Sequence, residues 1–435
     1  MTSVSIPRPQ REEQALREVG RTDVRPAVAR LTGGLLLATL VLLPLARALG
    51  LGVEPAEGRW RPFEGLRTAV AAARAETREE GPLAGNRRLL AGLHAFEDDL
   101  EETAPFSQPV QSWGQWMLTR FGGVGNERAL AGRDGRLDYA PDVAVVSGPG
   151  FLDPVVLERR SRSGESWEEA PRPDPRPALA ALGEWLTSQD IRLLIVQVPS
   201  KAAIEPEGFV PVFRRIEAPL ANPSQAAWVA WLDQRGISWL DLRPELAALA
   251  AESDAYLERD SHWTPAAMEL AARRVAERIR PWLPPPSDAD PVWLRREAVV
   301  EGAGDLAAML RLPDGHALWP AQRVTIHPVT DDLGAAWRPT RGAPVLLLGD
   351  SFTNVFSDAG LGWGAGAGFA EQLSWELQLP VDRIAQNAGA ATAARRALAR
   401  QLTDDPARLD GVRVVVWELA ERELASGDWR EVSWP

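Results

Sequence analysis

"PVLLLGDSFTN", residues 344–354, runs four apolar residues straight into a glycine, an acid and a hydroxyl. A continuous apolar run of this length reads as a strand covered on both faces. Gly349 then permits a tight turn, and Ser351 emerges where the strand ends. In an α/β protein that edge of the sheet is where ligands bind. A serine there has two readings, a turn or helix cap and a nucleophile.

Four further runs share this texture: 142–148 (DVAVVSG), 191–199 (IRLLIVQVP), 237–242 (ISWLDL) and 412–419 (VRVVVWEL). Helical stretches such as RPALAALGEWLTSQ and PAAMELAARRVAERI lie between them. Strands alternating with helices predict an α/β fold with a mainly parallel sheet flanked by helices. The proline-rich 281–291 reads as a loop, because runs that belong to one sheet lie on both sides of it. No internal repeat is evident.

A serine hydroxyl needs a base to become a nucleophile. The chain holds four histidines: His94, His262, His316 and His327. His262 stands in RDSHWTP, 259–265, just before a helix announced by Thr264 as cap and Pro265 as first residue. Met268, Ala271, Ala272, Val275 and Ile279 form one apolar face of that helix. Asp260, two residues before His262, can accept from Nδ1–H and leave Nε2 to take the serine proton. The competing reading makes Asp260 a turn residue and His262 a satisfied polar group. His316 and His327 have no acid at close sequence spacing and read as structural; His94 reads as an ordinary helix residue.

Asn387 follows a short strand-like stretch and precedes Gly389, so it is either a turn former or an oxyanion donor. Glu418 ends the last strand beside Trp417 and reads as an internal ion-pair partner. Trp263, Trp363 and Trp417 are candidates to stack on a sugar ring, and tryptophan is equally ordinary core material in a chain with 18 of them.

The balance of the chain bounds the class. It has 435 residues, a formal charge of −12 and no cysteine. The acidity argues against nucleic acid as a partner. Disulfides, thiolate chemistry and cysteine-based zinc sites are excluded, and no motif calls for a cofactor or a metal. Residues 31–53 are apolar apart from Arg47, long enough to span a bilayer, which takes about 20 residues. Six arginines precede them, which keeps the N-terminus cytoplasmic. The sequence ARA at 46–48 also fits a cleaved signal peptide, and a buried helix is a third reading. The leader is long for a signal peptide, which favours an uncleaved anchor. The expected organisation is therefore a cytoplasmic tail (1–30), a transmembrane signal-anchor (31–53), a helical linker or appendage (54–125) and an α/β domain (126–435).

VPSKAAIEPE (198–207), WLDLRPEL (239–246), RDSHWTP (259–265), VLLLGDSF (345–352) and VVVWELAER (414–422) together resemble the SGNH-hydrolase-like domain of the alginate O-acetyltransferase family, of J and X type. DSHW with GDSF is the specific combination. The Asp/His pair precedes the serine, the permuted order of this family. The resemblance, over about residues 126–430, implies Ser351 as nucleophile, His262 as base and Asp260 as its orienter. It also implies acetylation of exopolysaccharide hydroxyls in the periplasm, with a membrane-bound O-acyltransferase bringing acetyl groups across the inner membrane. The N-terminal anchor is similar to the J type; the carbohydrate-binding module of the X type has no room after residue 435. A polysaccharide acetylesterase with the same triad, and a non-catalytic polysaccharide-binding or scaffold subunit, are the competing functions. Arg136 and Asp138 stand where the family has aromatic residues. Lys201, the one lysine beside 47 arginines, lies in the PSK that the family shares, with no role assigned to it.

Overall fold

The computed structural model describes residues 64–103, 107–163, 169–209, 219–287, 290–316, 318–387 and 389–435. The expected tail and membrane span, 1–53, lie outside the described residues. Among the described residues no helix is long and apolar enough to cross a membrane. The chain divides into two compact units, one made of Met1–Thr68 with Leu93–Gln108, the other of Ala69–Gly92 with Pro109–Pro435. Helices Glu64–Glu80, Pro82–Thr103 and Ser107–Gly122 occupy the stretch where helical periodicity is read.

The second unit carries the sheet. Strands β1 (Ala129–Ala131) and β2 (Leu137–Tyr139) form an antiparallel pair. Next come β3 (Arg192–Val198) and β4 (Ser238–Asp241). β5 (Leu294–Arg295), β6 (Ala298–Gly302), β7 (Gln322–Ile326) and β8 (Val329–Thr330) make two small antiparallel pairs, β5 with β8 and β6 with β7. β9 (Val345–Gly349), β10 (Val381–Ala385) and β11 (Val414–Ala420) follow. The main sheet runs β10-β9-β11-β3-β4, every pair parallel. Trp417 of β11 stands opposite Ile195 of β3 and Leu348 of β9.

Both faces of this sheet are covered, which is why its central strands are apolar at successive positions rather than alternate ones. Leu194, Val196, Val345, Leu347 and Val416 face a core shared with helices Pro265–Ile279 and Phe369–Leu377. Leu193, Ile195, Leu346, Leu348 and Val415 face the opposite core, with helices Pro175–Ser188, Gln225–Gln234 and Ala390–Asp404. Helix Pro265–Ile279 starts as its sequence requires: Thr264 accepts from the Ala267 amide and Pro265 takes the first turn. Its stripe of Met268, Ala271, Ala272, Val275 and Ile279 is fully buried. Met268, Val275 and Ile279 each contribute roughly 1.5–3 kcal/mol on burial.

One expected strand is a helix. Residues 142–148 lie in and just beyond helix Ala140–Ser147, which carries Pro141 in its first turn and which Gly148 closes by donating to the Ala144 carbonyl. Its buried residues are Asp142 and Val145, three apart. That spacing is helical, and proline is tolerated in the first turn, where its missing N–H would have no intrahelical partner. A four-residue apolar run fits either state, and packing decides it.

Candidate active site

The carboxyl ends of β9, β11 and β3 converge on one edge of the sheet. At the end of β9 the chain turns at Asp350 into the short helix Ser351–Asn354. Asp350 caps it, accepting from the Phe352 amide at 2.7 Å and the Ala420 amide at 3.2 Å. Behind the turn, Glu418 of β11 accepts from the Asp350 amide (3.1 Å) and the Thr353 hydroxyl (2.9 Å). Glu418 is fully buried, with no ion-pair partner among the described residues and its Oε1 without a hydrogen bond. Burial, with Asp350 adding like-charge repulsion, holds its carboxyl well above the usual 4.5. It stands behind the turn with its charged form disfavoured, not as the ion-pair partner expected.

His262 meets Ser351 from the loop before helix Pro265–Ile279. Its Nε2 lies 2.7 Å from Ser351 Oγ and its Nδ1 2.6 Å from Asp260 Oδ1. Asp260 Oδ1 also accepts from the His262 amide at 3.0 Å, so the Asp-x-His spacing closes a tight turn on itself. Asp260 Oδ2 accepts from Trp363 Nε1 (2.8 Å) and the Asp305 amide (2.9 Å). Burial alone would raise the Asp260 pKa, but the imidazole and these donors hold it below the usual carboxylate range. An ionised Asp260 is acceptor-only. Nδ1 therefore carries the hydrogen, and Nε2 offers its lone pair to the Ser351 hydroxyl. Burial works against the imidazolium, yet Asp260 and, more weakly, Asp305 outweigh it, so the His262 pKa is raised. Phe352 packs against the ring, centroids 4.7 Å apart, and Arg422 lies over Phe352 at 5.2 Å.

Lys201 opens the short helix after β3 and is 1% exposed. Its Nζ donates to the carbonyls of Leu137 (2.6 Å), Leu257 (2.7 Å) and Glu258 (2.8 Å), with Asp260 O at 3.4 Å. The one lysine thus pins the loop that carries Asp260 and His262. Burial lowers its pKa, opposed by the nearby Asp138. Arg136 pairs with Glu205 and, at 2.8 Å, with Asp254, while Asp138 is buried. The two departures from the aromatic pattern form a charged cluster beside Lys201.

Of the two readings for the three tryptophans, the core is where they lie. Trp263, Trp363 and Trp417 are 0%, 1% and 0% exposed, so none offers a ring face to a sugar. Trp263 donates to the Phe352 carbonyl (3.2 Å), Trp363 to Asp260, and Trp417 packs in the core against Trp429. Trp363 lies directly on Gly302, where an added Cβ would meet the indole at 2.8 Å. Asn387 is exposed after β10, and its Oδ1 accepts from Asn354 Nδ2 at 2.7 Å, tying it to the Ser351 helix. His316 packs tilted against Trp113, 4.5 Å between centroids. His327 does have an acid, which arrives across space: its Nδ1 is 2.5 Å from Glu269.

Sequence reasoning missed Asp305, 45 residues beyond Asp260 in the irregular insert between helix Pro265–Ile279 and β9. No periodicity or motif marks it. Asp260, His262 and Asp305 bring their donor atoms within 4.8 Å of one another. Both imidazole nitrogens are already engaged, by Asp260 and Ser351, which makes this a proton-handling set.

Comparison with known proteins adds a family and a fold. A family model described as SGNH hydrolase-like domain, acetyltransferase AlgX, matches residues 158–421, more than half of the chain. No curated protein matches the sequence. Among solved structures, the O-acetyltransferase domain of Pseudomonas putida AlgJ is similar at 19% identity and a TM-score of 0.50, over 69% of this chain and 94% of that one. Pseudomonas aeruginosa AlgX is similar at 17% identity and a TM-score of 0.45, over 68% of this chain and 65% of that one. The likeness to the AlgJ domain shows a shared fold.

Proposed function

We propose, since this chain belongs to the AlgX family of SGNH hydrolase-like acetyltransferase domains, that it transfers acetyl groups to hydroxyls of an exopolysaccharide through an acetyl-Ser351 intermediate. One observation carries the reading: Ser351 Oγ, His262 and Asp260 stand in an unbroken hydrogen-bonded line of 2.7 and 2.6 Å. His262 Nε2 takes the Ser351 proton as Oγ attacks the donor's acetyl carbonyl. The tetrahedral intermediate collapses, and the donor's leaving group departs with the proton from Nε2. A sugar hydroxyl then gives its proton to Nε2 and attacks the acetyl carbon, and Ser351 departs and recovers the proton. We assign the oxyanion to the Ser351 amide and to the Asn387 side chain, whose carbonyl end is held by Asn354, leaving the amino end to donate.

In this reading the donor is supplied by a membrane-bound O-acyltransferase. Residues 31–53 anchor the chain in the inner membrane, with the catalytic domain on its extracytoplasmic side. General-base help is worth about 10²–10⁴-fold. Ser351→Ala and His262→Ala are therefore expected to lower acetyl transfer to defined oligosaccharides by at least ~10²-fold, with thermal unfolding preserved. Mass spectrometry should find one acetyl group on Ser351 when donor is present without acceptor. Full transfer by Ser351→Ala would sink the assignment. Release of free acetate with no transfer would make the chain an esterase.

A further inference from the structure

The line from Asp260 to Ser351 uses one carboxylate, yet a second stands against the same imidazole. Asp305 accepts from the Ser261 amide with Oδ1 (2.7 Å) and from the Ser261 hydroxyl with Oδ2 (2.7 Å). Its Oδ2 lies 3.8 Å from His262 Nδ1. In return its own amide donates to Asp260 Oδ2 at 2.9 Å. The exchange is reciprocal: the main chain of one acid holds the side chain of the other, and the side chain of Asp305 holds the main chain between Asp260 and His262. We propose that Asp305 is a positioning residue of this site, locking the 260–262 loop and offsetting the charge on His262 while the ring holds a transferred proton.

Two further features support this. Gly304, just before Asp305, has φ +91°, and an added Cβ there would lie 2.1 Å from the Arg259 carbonyl. The insert is thus pressed onto the loop at a separation that glycine permits, and that approach delivers Asp305. Placing a second carboxylate beside Asp260 also opposes folding. Burial, then the Asp260 charge, raises the Asp305 pKa. Acids held together against their mutual repulsion are a feature of functional sites as well as of structural charge networks. The charged groups acting on His262 are Asp260, Asp305 and, in opposition, Arg422. Asp305 is 29% exposed, so solvent screens it, and its influence is that of a partly shielded charge.

The inference rests on His262 as the base, but its test reads the ring directly. The full chain is labelled with ¹³C-histidine, and its four ring signals are titrated by NMR, with His262 assigned from the His262→Gln spectrum. Asp305→Asn is expected to lower the His262 pKa by about one unit, the effect of a screened carboxylate near 4 Å. The rising limb of the pH–rate profile should move to lower pH with it. Asp305→Glu is expected to restore most of the shift. An unmoved His262 titration in Asp305→Asn would overturn the proposal. So would an Asp305→Glu chain whose His262 titrates with that of Asp305→Asn and not with the parent. Failure of the acetyl-serine reading would show separately, as transfer surviving Ser351→Ala.

Discussion

His262 can accept a proton only when neutral, and its two carboxylate neighbours hold its pKa above the usual 6.5. Transfer is therefore expected to rise with pH through a midpoint above that value, so kcat/KM at pH 6 falls below that at pH 8. A flat profile between those limits would contradict the base assignment. Glu418 bears on stability with its own sign. Its folded pKa is raised, so the folded chain keeps a proton that the unfolded chain loses above about pH 4.5. The contribution is full below that pH and is lost progressively as pH rises toward the folded value. Glu418→Gln, neutral at every pH, is expected to melt higher than the parent at pH 8, by a margin that vanishes near pH 4; calorimetry at the two pH values checks it. At this scale Ser351, His262 and Asp260 were readable because each sits within a few residues of a structural marker: a strand end, or a capped helix start. Asp305 was not, since its partners are spatial. For Trp263, Trp363 and Trp417 the sequence leaves sugar contact and core packing open, because composition does not report burial.

Elements deliver these residues through close approaches that single glycines make possible. Gly304→Ala would combine a positive-φ extended backbone, which costs an L-residue on the order of 1–3 kcal/mol, with a collision against the Arg259 carbonyl. The expected result is a melting temperature lower by several degrees, and transfer reduced more than stability alone explains, because Asp305 and Asp260 move together. Equal thermal stability and activity to the parent would show that the insert is not pressed on the loop. The strands ending near the site were legible as apolar runs, since burial on both faces leaves little room for polar positions. Helix Ala140–Ser147 was not, because four branched and small apolar residues satisfy either period until Asp142 and Val145 find their neighbours. β10 was faint, its run broken by Asp382 and Arg383.

The molecule as a whole places its chemistry on one edge of a sheet, and the sequence places an apolar segment far upstream of it. If residues 31–53 anchor the chain, the full chain should stay with membranes through alkaline carbonate washing, and deletion of 1–53 should release it; release of the full chain by the wash would remove the anchor from the account. The α/β class was legible at this scale because covered strands and amphipathic helices differ in period, whereas packing around the insert leaves no comparable trace. Lys201 has a consequence that reaches beyond its loop. The ammonium is the one side-chain amine in the chain, and carbonyls enclose it. An acetyl ester on Ser351 is a reactive acyl donor, and primary amines are the side-chain groups most apt to intercept it irreversibly as amides. A surface furnished with arginine guanidinium groups in place of lysine keeps positive charge without offering that sink. If Ser351 carries an acetyl group, the folded chain is thereby a poor trap for it.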